Sequence, residues 1–265
     1  MADGEKRSRG DSGSQLSYFD IQAYMGTTKH MGGFESTQTL IELCHIDENA
    51  YVLDIGCGVG ATACHLARAY GCRVVGIDLR EAMIENARDR ARRERVEDRV
   101  EFRVEDVQAL SFHEGMFDAV LCESVLTFVS DRPKAVAELA RVLKPGGYVG
   151  LNEEVWIERP PAGMMERIGD IWDIEVDLPT SGEWLGWLES AGLRDVVVRS
   201  LTVDARREAT QVKRYRLRDI AGMFYRALAL YIKSSEMRRY MRGRRLPKDV
   251  FQYLGYALLV GRKQG

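Results

Sequence analysis

Three glycines spaced two apart and flanked by acids carry the first chemical signal in this chain. Val52-Leu53-Asp54-Ile55-Gly56-Cys57-Gly58-Val59-Gly60 reads as an apolar strand breaking into a turn, and Ala61 to Tyr70 reads as the helix that follows. Without side chains at Gly56, Gly58 and Gly60 the backbone can turn sharply and a ligand can approach main-chain atoms. Asp54 stands two residues before the first glycine. A carboxylate there repels a pyrophosphate but suits an ammonium or a sulfonium. The Gly-x-Gly-x-Gly spacing also departs from the Gly-x-Gly-x-x-Gly of dinucleotide sites. A second acid, Asp78, ends the apolar run Val74-Val75-Gly76-Ile77, a strand end suited to holding a ribose diol.

Other chemically capable residues fall at similar places. Glu123 follows the strand-like Phe117 to Cys122, and Glu153 and Glu154 end the strand-like Val149 to Glu153. His30 lies in the loop Thr27 to Gly33 and titrates nearest neutral pH, which makes it a candidate general base. A satisfied structural histidine is an equal reading. Glu123 reads as a holder of an ammonium, an orienter of an acceptor, a base, or a surface acid paired with an arginine. His30, Glu123 and Glu153 are the candidate catalytic residues.

The elements that must position these groups alternate in type. Val100 to Val104 reads as the third strand after the helical Glu81 to Arg95, and Asp195 to Val203 and Phe251 to Gly261 read as the sixth and seventh strands. Thr180 or Ser181 can cap the helix through Trp184 and Leu188 that stops at Gly192. Phe34 to Ile46 reads as a helix leading into the first strand, Gln15 to Gly26 as a short helix, and Gly163 to Trp172 as a helical piece. This alternation predicts an α/β protein with a doubly wound sheet.

With these motifs in order, the chain resembles the class I (Rossmann-like) S-adenosylmethionine-dependent methyltransferases, nearest their small-molecule, quinone and sterol type. The resemblance spans about residues 50 to 155 and includes the turn Leu143-Lys144-Pro145-Gly146-Gly147-Tyr148. It implies seven strands, mostly parallel with the last antiparallel, and helices on both faces. It implies S-adenosylmethionine as cofactor, S-adenosylhomocysteine as product and no metal. By resemblance Asp106 accepts from the adenine amino group and the Val107 amide donates to the ring. Asp54, Gly56, Cys57, Gly58, Gly60, Asp78, Leu79, Asp106, Val107, Cys122 and Glu123 are the expected cofactor-binding residues.

At 265 residues, 45% hydrophobic and with formal net charge −2, the chain fits one α/β domain over 15–265, behind a disordered tail at 1–14. Within it, 15–48 reads as a cap, 50–155 as the cofactor core and 204–250 as a helical insertion or lid. No apolar run approaches the roughly 20 residues that span a bilayer. The start lacks the apolar core of a signal peptide. The 5 cysteines have no Cys-x-x-Cys spacing, which argues against disulfides and zinc and for a cytoplasmic location.

Between Asp204 and Val250 there are about fourteen Lys or Arg against about five acids. Leu217, Ile220, Met223, Phe224, Ala227, Leu228 and Tyr231 recur there at helical spacing. This insertion is expected to serve the acceptor and not the cofactor. Nucleic acid is disfavoured, because neither an Asn- or Asp-Pro-Pro-aromatic motif nor a Pro-Cys nucleophile follows the fourth strand. The function expected is methyl transfer to a small-molecule acceptor, apolar or anionic. Peripheral contact with a membrane surface is compatible with the basic insertion. The alternative is a non-catalytic S-adenosylmethionine-binding or interaction module.

Overall fold

In the computed structural model, residues 18–161, 163–164, 178–234, 238 and 248–265 are described. The expected tail at 1–14, the start of the first short helix and most of the helical piece at Gly163 to Trp172 lie outside them. So does the end of the helical pattern toward Met241.

Seven strands form one sheet in the order β3-β2-β1-β4-β5-β7-β6. They are β1 (Tyr51–Ile55), β2 (Arg73–Asp78), β3 (Val100–Val104), β4 (Phe117–Glu123), β5 (Leu143–Trp156), β6 (Leu193–Thr202) and β7 (Leu254–Lys263). The pairs among β1 to β5 are parallel, and β7 runs antiparallel to both β5 and β6. This is the doubly wound seven-stranded architecture, with the last strand antiparallel. β5 runs well beyond the expected Val149 to Glu153, because β7 pairs with it from Tyr148 through Trp156 and satisfies its backbone there.

The helices are α1 (Tyr18–Met25), α2 (Gly33–Leu43), α3 (Ala61–Tyr70), α4 (Glu81–Glu94), α5 (Arg132–Val142), α6 (Ser181–Ser190), α7 (Ala205–Glu208) and α8 (Leu217–Lys233). Two-residue alternation splits the strands between two cores. Leu53, Val120 and Leu151 pack with Val136 and Leu139 of α5 and Trp184 and Leu188 of α6. Val52, Leu121 and Leu258 pack on the other face with Leu40 of α2, Leu66 of α3 and Ile84 of α4. Thr180 starts α6 through a reciprocal capping box with Glu183.

Strand order reverses between β1 and β4, and in such sheets ligands bind outside the carboxyl ends at that point. Asp54 and Glu123 therefore end neighbouring strands on the α2 face of the sheet.

The insertion packs beside the glycine turn. Ile220 and Met223 of α8 pack on Ala23 of α1, on Val59 and Ala61 at the glycine turn, and on Met83 of α4. Asp219 faces Arg90 and Arg93 of α4. The small residues at the turn accept the apolar stripe of α8, so the insertion covers the glycine-turn half of the molecule.

Candidate active site

A small cleft opens at the switch point, and Asp54, Gly56, Glu123, His30, Thr28 and Arg214 are among its walls. Two side-chain-free positions shape it. Gly56 has φ 61° and Gly58 φ 52°, and a Cβ would collide with Val125 at the first and Thr28 at the second. The Gly58 amide donates to Asp78 Oδ2 at 3.0 Å, and the Arg80 amide donates to Asp78 Oδ1 at 3.0 Å. The acid at the end of β2 is thus tied to the glycine turn.

Asp54 is buried at 3% exposure, and its Oδ2 has no hydrogen-bond partner among the described residues. Burial, then repulsion from Glu123, pushes its carboxyl well above the usual range, against the pull of Arg214. An unpaired buried carboxylate is costly, and a cation in the cleft would relieve that cost.

Glu123 is anchored by two threonines. Thr37 Oγ1 donates to Oε2 at 2.9 Å and Thr62 Oγ1 to Oε1 at 3.3 Å. His30 stands behind Thr37, with Nε2 at 3.2 Å from Thr37 Oγ1 and Nδ1 at 3.4 Å from Asn152 Nδ2. With the proton assigned to Nε2, Asn152, His30, Thr37 and Glu123 form one donor-to-acceptor chain. Burial, partly offset by Glu123, lowers His30 to about 4, so the ring is neutral near pH 7. His30 therefore braces Glu123 through Thr37.

The expectation for Glu153 changes. It lies on the opposite face of the sheet from Asp54 and Glu123, and it is fully buried. Its Oε1 accepts from the amides of Val125 at 3.1 Å and Leu126 at 3.0 Å, and its Oε2 from the amide of Thr127 at 3.0 Å. Burial, then Glu154, raises it to about 7. It shapes the turn after β4, where Ser124 holds φ 56°. Cys122 shares that face, its Sγ 3.7 Å from Glu153 Oε1, so its thiol is outside the cleft.

Leu79, at the end of β2 beside Asp78, is 69% exposed, and neither is among the walls of the cleft. Asp106 Oδ1 accepts from the Gln108 amide at 2.8 Å, a local turn bond, and Val107 packs its side chain into the core. Cys57 lines the cleft and Gly60 begins α3.

Several participants escape sequence reasoning. Arg214 Nη2 donates to the Thr28 carbonyl at 2.9 Å, and the Tyr215 hydroxyl accepts from the Thr28 amide at 3.1 Å. Arg226 donates to the Met25 carbonyl, and the Gly32 amide donates to Glu208 at 2.6 Å. The insertion thus straps the first loop over the glycine turn. In the sequence these residues sit in the basic insertion, whose charge run does not say which surface it meets. Asn152 and Thr37, polar positions within an apolar strand and a helix, were the only hint of the histidine chain.

Among the described residues, no group of three or more His, Cys, Asp or Glu is placed to hold a metal ion. No helix among them is long and apolar enough to cross a membrane. The 5 cysteines are free and buried.

Residues 53–151 match a family model described as a methyltransferase domain. Methyltransferase GfsG of Streptomyces halstedii is 37% identical over 46% of this chain and 44% of its own length. The 27-O-demethylrifamycin SV methyltransferase of Amycolatopsis mediterranei is 35% identical over 54% of this chain and 53% of its own. The chain thus spans about half the length of these two relatives. Among solved structures, the [4+2]-cyclase SpnF superposes with a TM-score of 0.72 over 92% of this chain and 91% of that one, at 21% identity, which supports the fold alone.

Proposed function

We propose that the chain is a class I S-adenosylmethionine-dependent methyltransferase whose cleft holds S-adenosylmethionine and serves methyl transfer to a small-molecule acceptor. The observation that carries this reading is the buried carboxylate of Asp54, with its unpartnered oxygen, beside Glu123 in the cleft at the glycine turn. This donor set suits a ligand with a cationic end. The name of the 35%-identical relative gives 27-O-demethylrifamycin SV as its substrate, in keeping with a small-molecule acceptor.

When bound, S-adenosylmethionine supplies a methyl carbon activated by a sulfonium, which an acceptor atom displaces in line to leave S-adenosylhomocysteine. The chain's own residues bind, orient and exclude water. Asp54 and Glu123 hold the ammonium, and Asp78 holds the ribose diol. Gly56, Cys57, Gly58 and Gly60 present backbone, and Leu79, Asp106 and Val107 receive the base. The loop strapped over Gly58 keeps water from the cleft. His30 serves as a brace and not as the base: its lowered pKa makes it a weak proton acceptor, and its two ring nitrogens are engaged by Thr37 and by Asn152 or the Met31 carbonyl.

Titration calorimetry tests the reading. Wild type should bind S-adenosylmethionine more tightly as pH rises, because Asp54, raised above its ordinary value in the free protein, must give up a proton to face a cation. Asp54→Asn should lose about 10–100-fold in affinity, and the pH slope with it. No binding by wild type, or an unchanged Asp54→Asn, overturns the assignment. Binding without S-adenosylhomocysteine release from any small-molecule panel would favour the non-catalytic alternative.

A further inference from the structure

Arg214 comes from the insertion, outside the segment that matches the family model, yet it forms part of the wall of the cleft. It is 3% exposed. Its Nη2 donates to the Thr28 carbonyl at 2.9 Å and its Nη1 lies 3.5 Å from Thr62 Oγ1. Its Nε is buried and has no hydrogen-bond partner among the described residues. A buried guanidinium with an unused N–H, beside carboxylates, is incompletely satisfied as it stands. The other cation at the cleft, Lys29, is 57% exposed and pairs with Glu208 at 3.4 Å, so its charge is already answered.

We infer that Arg214 takes the carboxylate of the cofactor's amino-acid end, a proposal that rests on the cofactor reading above. The cleft then matches a zwitterion group by group. Asp54 and Glu123 face the ammonium, and the planar fork of Arg214 faces the carboxylate. The pairing also relieves both orphaned atoms at once, Asp54 Oδ2 and Arg214 Nε. Because the same guanidinium grips Thr28, the carboxylate and the closed loop share one anchor. The insertion is thereby a part of cofactor recognition.

Decarboxylated S-adenosylmethionine, which keeps the sulfonium, ammonium and nucleoside but lacks the carboxylate, isolates this contact. Calorimetry with both ligands on wild type, Arg214→Met and Arg214→Lys gives the answer. Wild type should prefer S-adenosylmethionine by about 10–100-fold, the range expected for a hydrogen-bonded charge pair. Arg214→Met should lose that preference, weakening S-adenosylmethionine by about tenfold or more beyond whatever loosening of the Thr28 loop does to both ligands alike. Arg214→Lys, which keeps the charge without the fork, should retain part of it. Equal weakening of both ligands in Arg214→Met would make Arg214 only a strap for the loop and overturn the inference. If Arg214→Met does not fold, the lysine variant decides, and an undiminished preference there overturns it. A wild type that binds both ligands equally refutes this inference alone, whereas one that binds neither refutes the cofactor reading as well.

Discussion

The two halves of the cleft are held in different ways. Asp54 sits in a central strand, paired in register with Gly76 on one side and Leu121 on the other. Its place is fixed by two hydrogen-bonded ladders and by cores on both faces of the sheet. The covering half, the first loop and the insertion, is held by side chains reaching backbone groups nearly two hundred positions away, such as Arg214 and Tyr215 on Thr28. Each such bond contributes only about 0.5–1.5 kcal/mol net when neutral and about 1.5–3 kcal/mol when the donor is charged, as at Arg214. The holding residues are therefore rigid, while the closing residues can part without disturbing the fold.

The sharpest way to break that contrast is at the point where the halves touch. Gly58→Leu places a side chain where Thr28 lies, at a backbone φ of 52° that suits glycine. It should abolish detectable S-adenosylmethionine binding, a loss above about 100-fold, while the far-ultraviolet circular dichroism stays native. Full affinity would mean that the turn and the loop do not meet as described.

The next effect lies in the histidine chain. In the folded protein His30 is lowered to about 4, while in the unfolded chain it titrates near 6.5. As pH falls below 6.5 the unfolded chain gains a proton that folded His30 refuses until about pH 4. This contribution is thus complete above 6.5 and is lost across that window, by up to about 3 kcal/mol. In His30→Asn the loss should be absent, so the stability gap between the proteins should shrink on going from pH 7 to pH 4.5. Urea melts at both pH values measure it, and parallel pH dependences would place the ring in a more open site.

The same contrast explains what was legible in the sequence. The sheet and its acids were readable because strands buried on both faces leave long apolar runs, and because Asp54, Asp78 and Glu123 interrupt those runs at their ends. Glu153 was misplaced for a related reason. It reads as a strand end, whereas β5 runs on to Trp156, and only the pairing of β5 shows that it lies on the face opposite Glu123. The covering half left no such trace. Arg214 and Tyr215 work through Thr28 carbonyl and amide groups, which carry no side-chain signature. The apolar stripe of α8 announced a helix without saying which surface it would meet.

A smaller effect should follow from Tyr215→Phe. The hydroxyl accepts from the Thr28 amide and lies 3.2 Å from Thr27 Oγ1. Its removal leaves the Thr28 N–H to solvent or to local opening, at about 0.5–1.5 kcal/mol. Hydrogen exchange at Thr28 should speed up by roughly three- to tenfold, while amides in β1 keep their protection. An equal acceleration in both would show that the strap and the sheet open as one unit.

The smallest effect is expected on the outer face of α8. Its inner residues, Ile220 and Met223, pack on the turn, while Phe224 is 73% exposed and Leu228 59%. Truncation to Ser at an exposed site removes little buried area, so Phe224→Ser and Leu228→Ser should each change stability by less than about 0.5 kcal/mol. Met223→Ala, which strips side chain from the packed face, should cost more, about 1–2 kcal/mol, below the full-burial range because the site is only partly covered. Thermal melts of the three variants order them. A large loss at Phe224 or Leu228 would mean that the outer face is covered in the folded chain, and that the strap is bound as firmly as the sheet it closes.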